Sequence, residues 1–155
     1  MNAQIRRATP DDLEPLVALM AEFYGESNYP LNRQRAAEAF AALLSDDRLG
    51  HVWLIQADAE DVGYVVLTLG FSMEYGGRSA FLDDLFIQSA FRGVGLGKAA
   101  LEKVRAACQH LGVRALRVEV GQDNMPAQAL YRQAGFVSTD RQFLTLRLAD
   151  PTHAG

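Results

Sequence analysis

Residues 80–98 constrain the fold of this chain more than any other stretch. An apolar run over residues 80–87 leads into Phe91-Arg92-Gly93-Val94-Gly95-Leu96-Gly97-Lys98, and a helix-period run continues to Leu111. Glycines at alternate positions leave the backbone unshielded. They also reach dihedrals that turn several N–H groups into one concavity. The helix that follows brings the positive end of its dipole to the same place. A strand, glycine loop and helix in this order make a site for an anion, most often a phosphate. Arg92 and Lys98 add side-chain charge. A Lys in the first turn of a helix opposes the dipole, and an anion seated there would offset that.

Two familiar phosphate motifs do not fit these letters. A dinucleotide fingerprint needs G-x-G-x-x-G, but Lys98 stands where the third Gly after Gly93 and Gly95 belongs. A nucleoside-triphosphatase loop needs G-x-x-x-x-G-K-[ST]. Here Arg92 holds its first Gly position, and Ala99 replaces the hydroxyl residue that would hold magnesium.

The pattern R-G-x-G-x-G after a strand resembles the coenzyme A loop of the GNAT superfamily of N-acyltransferases, written [RQ]-x-x-G-x-[GA]. The lead-in Leu85-Phe86-Ile87-Gln88-Ser89-Ala90-Phe91 is also similar, with Ser89 where many members have Pro. Downstream, Asn124-Met125-Pro126-Ala127-Gln128-Ala129-Leu130-Tyr131, followed by Gly135-Phe136, matches the family's second signature, N-x-x-A-x-x-x-Y then G-F. The resemblance covers residues 80–136 well; before them it rests on the order of elements. Phe81-Leu82-Asp83-Asp84-Leu85-Phe86 also looks like the diamine and polyamine acetyltransferase branch.

Size and composition agree with one globular domain. The chain has 155 residues, 49% of them hydrophobic and 22% charged, enough for a single core. Its apolar runs are short and interrupted, so no membrane span is expected, and the N-terminus lacks the order of a signal peptide. One cysteine, Cys108, fits a reducing compartment, so a cytoplasmic protein is expected. The formal net charge is −4 with no basic block. That argues against nucleic acid as a partner and favours cationic small substrates. His51, His110 and His153 lie far apart without metal-ligand spacing, and no metal is expected.

The periodicities predict seven strands, at residues 2–7, 51–57, 62–71, 80–87, 115–120, 136–139 and 143–148. Helices are predicted from Thr9-Pro10, with Leu13, Leu16, Val17, Met20 and Phe23 in register, over residues 33–44, from the glycine loop to Gly112, and from Asn124 to Gly135. The expected architecture is α/β (α+β), GNAT-like: a mixed, mostly antiparallel sheet of about seven strands with helices on both faces. The domain spans residues 1–149, with a flexible tail at 150–155.

Acyl transfer from a thioester to an amine requires three things: a deprotonated amine, a polarised carbonyl and a stabilised leaving thiolate. The resemblance implies direct attack of the amine on acetyl-coenzyme A in a ternary complex, without an acyl-enzyme. It makes Tyr131 the candidate general acid, since a phenol with a pKa near 10 is protonated at neutral pH; the alternative is a packing Tyr. Asp83 and Asp84 interrupt an apolar strand, where charge is costly. Strand neighbours point to opposite faces, so only one need face the acceptor. In the polyamine branch the acidic residue nine before the loop Arg serves as base or water relay, which here is Asp83. Asp84 is then an amine-binding group, and Glu119 a lesser candidate base.

By the same resemblance the cofactor is held by backbone groups of Leu85, Phe86 and Ile87, by Arg92, Gly93, Val94, Gly95, Leu96, Gly97 and Lys98, and by Asn124 and Tyr131. It would enter where the strands at 80–87 and 115–120 splay apart. Tyr24, Glu26, Tyr29, Glu74 and Tyr75 fall in loops that shape the acceptor pocket in similar enzymes. The implied partner is a small amine, with a possible homodimer. The rival readings are a protein N-terminal or lysine acetyltransferase, and a non-catalytic acyl-coenzyme A-binding module.

Overall fold

The computed structural model describes residues 1–149; residues 150–155, the expected tail with His153, lie outside it. Element order is β1 (Ala3–Arg7), α1 (Leu13–Glu26), α2 (Arg33–Ser45), β2 (Gly50–Ala57), β3 (Glu60–Ser72), β4 (Gly77–Ile87), α3 (Leu96–His110), β5 (Ala115–Val118) and α4 (Met125–Gln133). The strands form one sheet in the order β1-β2-β3-β4-β5. β1 to β4 pair antiparallel and β5 joins β4 in parallel. Among the described residues no helix is long and apolar enough to cross a membrane.

Alternation along the central strands divides the buried side chains between the two faces of the sheet. Val52, Leu54, Tyr64, Val66 and Phe86 face α1 and α2, packing with Leu16, Val17, Leu19, Ala36 and Phe40. Trp53, Val65, Leu67, Ala80 and Leu82 face the other way, against Leu101, Val104 and Cys108 of α3 and Tyr131 of α4. The period of two in the strands thus places helices on both faces, as expected from the sequence.

Three expectations are corrected. Among the described residues the sheet has five strands, not about seven: residues 136–139 and 143–148 are in no strand. The alternating letters of 144–148 supply a strand's side-chain pattern, but a strand exists only when its backbone finds a partner. β5 is also shorter than expected, ending at Val118. Finally, Thr9 does not open α1 directly. It precedes a 3-10 turn at Pro10–Asp12, where the Asp12 carboxylate accepts from the Thr9 backbone N–H at 2.8 Å.

Asp12 also accepts two hydrogen bonds from the Arg6 guanidinium, at 2.9 and 2.8 Å, tying β1 to the start of α1. These donors hold its carboxyl down to about 2. A carboxylate lowered in the folded state contributes stability above its unfolded pKa, and that contribution fades as pH falls toward the folded value. Asp12→Asn is therefore expected to lower the melting temperature at neutral pH. The difference from the parent should shrink as pH is lowered from about 4 toward 2, as thermal melts across that range will show.

Candidate active site

Two features of β4 create the site. The first is a bulge. Val66 of β3 pairs with Asp84, but Leu67 pairs with Leu82, which leaves Asp83 as the extra residue. In an unbroken strand Leu82 and Asp84 would share a face. The bulge reverses the alternation, so Leu82 packs toward α3, and the Asp84 carboxylate instead accepts from the Tyr64 hydroxyl at 2.9 Å, on the α1 side. Bulges re-aim side chains in this way. Both aspartates act electrostatically on Tyr24 and Tyr64.

The second feature is the end of the parallel ladder. β4 and β5 pair from Ser79↔Ala115 to Leu82↔Val118 and no further. Beyond Leu82, β4 continues through Asp83, Asp84, Leu85, Phe86 and Ile87 with only β3 beside it. Its other edge therefore carries unpaired backbone groups where the strands part. Glu119 lies past the end of β5 and is exposed.

Asp84 lines a pocket of about 270 Å³ with Phe23, Tyr24, Ser27 and Tyr29. Burial, opposed by the Tyr64 hydrogen bond and aided by the Asp83 charge, raises its carboxyl to about 7. Asp83 is more exposed, and burial raises its pKa as well. Burial and then the Asp84 charge push the Tyr131 phenol up to about 12. Tyr131 is 9% exposed and its ring packs edge-on to Phe136 at 5.5 Å. Tyr24 is likewise raised to about 12, chiefly by burial and then by Asp84 and Asp83.

The glycine loop lies just beyond. Gly93 and Gly95 have φ of +79° and +91°, and a Cβ at either would meet nothing within 4 Å. These positions need glycine for backbone conformation, and they face open space. Gly95 is the N-cap of α3, with no side chain capping the helix, so the first N–H groups of α3 are free for an anion. Val94 is exposed and Leu96 buried; Lys98 sits in the first turn of α3. Gly97 serves packing: a Cβ there would lie 3.1 Å from Leu130 Cδ2 of α4.

Arg92 does not extend freely toward the loop. Its Nε donates to the Ile87 carbonyl at 2.7 Å and its Nη2 to Glu26 at 2.7 Å, with the guanidinium over the Phe86 ring at 5.7 Å. It fastens the loop to α1, as does the hydrogen bond from Gln88 to Glu22 at 2.9 Å. Asn124 is the N-cap of α4, its side chain accepting from the Ala127 N–H at 3.2 Å.

Of the residues expected in acceptor loops, Tyr24 and Glu26 belong instead to α1, which ends at Glu26. Tyr29 lines the Asp84 pocket, Glu74 pairs with Arg141, and Tyr75 lies under the Arg117 guanidinium at 5.0 Å. Sequence reading missed Tyr64 and gave Phe23 only a core position. The available signal for Tyr64 was a hydroxyl within an otherwise apolar run, on the strand beside the two aspartates.

The family model for the acetyltransferase (GNAT) family matches residues 14–136, and the chain belongs to that family. An uncharacterized N-acetyltransferase of Archaeoglobus fulgidus is 33% identical over 131 residues, covering 83% of this chain and 88% of the relative. An aminoglycoside N(6')-acetyltransferase type 1 of Stenotrophomonas maltophilia is 30% identical over 141 residues, 88% of each chain. The crystal structure of the integron cassette protein HFX_CASS3, from the mobile metagenome of Cole Harbour Salt Marsh, superposes with a TM-score of 0.88. It is 48% identical and covers 97% of this chain and 93% of its own. The protein is an acetyl-coenzyme A-dependent N-acetyltransferase.

Proposed function

We propose that the acceptor is a small cationic amine that enters the pocket lined by Phe23, Tyr24, Ser27, Tyr29 and Asp84 and attacks the thioester directly in a ternary complex. The observation that carries this reading is a partly buried carboxylate on a bulge, among aromatic rings, at the point where β4 and β5 part. Carboxylates and ring faces both attract an ammonium group. The aminoglycoside acetyltransferase among the relatives agrees with a polycationic acceptor class.

Roles follow from environment. An ammonium must lose its proton before attack, and a base is most useful when its pKa lies near the working pH. Asp84, raised to about 7, meets that condition better than the more exposed Asp83. Asp84 is therefore the base, directly or through water, and Asp83 adds negative potential for the incoming cation. This reverses the order drawn from the polyamine branch.

The glycine loop and the first turn of α3 would hold the phosphates of the acyl donor, with Lys98 adding charge. The free edge of β4 at Leu85, Phe86 and Ile87 would pair with the amides of its arm, and Asn124 would offer its amide N–H groups. Tyr131, at about 12, stays protonated throughout the working range. A free thiol has a pKa near 8.5, so full proton transfer from this phenol to the thiolate is uphill. Tyr131 thus stabilises the leaving thiolate chiefly by donating a hydrogen bond.

Tyr131→Phe keeps the ring against Phe136 and removes only the donor. Turnover is expected to fall by about 10²–10⁴-fold with coenzyme A affinity nearly unchanged. Turnover equal to the parent's, with chemistry shown to be rate-limiting, would remove Tyr131 from the mechanism. The acceptor reading is tested by screening diamines, polyamines, aminoglycosides, amino acids and peptides with acetyl-coenzyme A, following free thiol release. Activity confined to neutral or anionic amines, or to peptides, would overturn it.

A further inference from the structure

We propose that Tyr64 is a positioning residue for the acetyl transfer: its phenol grips one oxygen of the Asp84 carboxylate and leaves the other turned to the acceptor pocket. This rests on the reading of Asp84 as the base.

Tyr64 is wholly buried in the core beneath α1 and α2. The rings of Phe23, Phe40 and Phe86 surround it at 6.4, 5.8 and 6.3 Å. Phenylalanine would pack in such a cluster without bringing a polar atom into it, whereas a buried hydroxyl must find a partner. The partner is Asp84 Oδ2, at 2.9 Å. Tyr64 stands opposite Phe86 in the ladder, so Asp84 is its diagonal neighbour, within reach of an aromatic side chain.

The second oxygen differs. Among the described residues nothing donates to Asp84 Oδ1, and the one buried side-chain atom without a partner there is His51 Nδ1. Oδ1 is therefore not sealed in; it opens on the pocket that Asp84 lines with Phe23, Tyr24, Ser27 and Tyr29. Tyr64 is not in that lining, so it acts through Asp84 and not on the acceptor.

The two oxygens thus divide the work. At Oδ1 an ammonium N–H bond breaks and an O–H bond forms, and the freed amine keeps the electron pair with which it attacks. The carboxyl later releases that proton to water. Tyr64 supplies no proton of its own, because burial and the Asp84 charge push its phenol upward. A hydrogen bond to a carboxylate is stronger than one to a carboxylic acid. The same contact therefore favours the basic form and opposes the burial that raises Asp84. The other ionisable groups bearing on Asp84 are Asp83 beside it, whose charge raises it, Tyr24 and Tyr29 of the pocket wall, and Tyr131 of α4. Tyr24 and Tyr131, at about 12, stay neutral across the working range.

The test is an NMR titration of protein carrying isotope-labelled aspartate, with the Asp84 carboxyl identified as the signal missing from Asp84→Asn. In the parent it is expected to titrate at about 7. In Tyr64→Phe it should titrate about one pH unit higher or more, and in Asp83→Asn lower than in the parent. Acetyl transfer to the most active amine of the acceptor screen is then followed across pH. The acid limb of Tyr64→Phe should move up with the titration. Above that limb a loss of about tenfold should remain, because the carboxylate is no longer held in line. In an Asp84→Asn background Tyr64→Phe should cost no further activity. A merely structural tyrosine would lower the melting temperature and leave the limb in place. An Asp84 signal that titrates in Tyr64→Phe as in the parent overturns the proposal, as does turnover above the limb equal to the parent's. The reading of Asp84 as base fails separately, by full turnover of Asp84→Asn.

Discussion

Asp84→Asn is expected to lose activity and gain stability, with both effects set by pH. The amide keeps an acceptor for the Tyr64 hydroxyl but takes up no proton. Turnover should fall by about 10²–10⁴-fold. In the parent, activity should rise through pH about 7, where the Asp84 carboxyl ionises, and the variant should lack that limb. The stability effect follows from linkage. An unfolded Asp titrates near 3.9; the folded one titrates near 7. Between these values the folded state holds a proton that the unfolded state has lost, so stability declines as pH rises. Above the folded value the charged, partly buried group stays unfavourable and the decline stops. Asp84→Asn should therefore melt higher than the parent at about pH 8 and close to it at about pH 4. Each kcal/mol is worth about 2–4 °C for a chain of this size. A variant that keeps full turnover, or that is no more stable at the higher pH than at the lower, excludes a buried functional carboxylate here. Loss of activity with a gain in stability is the trade expected of a residue kept for chemistry.

Gly95→Asp is expected to abolish most coenzyme A binding while leaving the fold intact. Gly95 has φ +91° and open space around its Cα, so the substitution strains the backbone without a clash. A left-handed conformation costs a non-glycine residue about 1–2 kcal/mol, a fraction of a typical domain's stability. The carboxylate would stand at the N-terminus of α3, where the phosphates are expected. Losing charge-assisted hydrogen bonds worth about 1.5–3 kcal/mol each should weaken binding at least about 10²-fold by calorimetry. Gly95→Ala separates strain from charge and should bind far better than the Asp variant. Gly97→Ala supplies the contrast, since its Cβ meets Leu130 and affects the packing of α3 on α4. Coenzyme A binding by Gly95→Asp equal to the parent's, with an unchanged circular dichroism spectrum, removes the loop as the phosphate site.

The parts of this protein legible in its letters are those governed by local rules. Helical spacing in Leu96, Ala100, Val104 and Cys108 marked the stripe that α3 buries. Asn124 and Pro126 marked the start of α4. Glycine at positions 93 and 95 pointed to positive φ, because few other residues tolerate it. Helices on both faces of the sheet were expected through the family resemblance.

What the letters could not carry depends on contacts between distant residues. Asp83 and Asp84 were visible as charges in an apolar strand, but alternation alone does not say which of them the fold buries. The bulge at Asp83 exists because β3 and β4 pair with a register shift, and no local pattern encodes a register. The hydrogen bond from Tyr64 that orients Asp84 spans two strands. The pairing of Arg92 with Glu26, which turns that cation away from the loop, arises from where α1 ends relative to β4. Residues 143–148 show the same limit from the other side. Their alternation is a strand's, yet a strand is a relation between two backbones. The sequence alone determined the glycine loop, the helix faces and the presence of acidic groups. The tertiary structure decided which carboxylate is buried, what holds it and where the sheet stops, because burial and strand pairing are properties of neighbours in space.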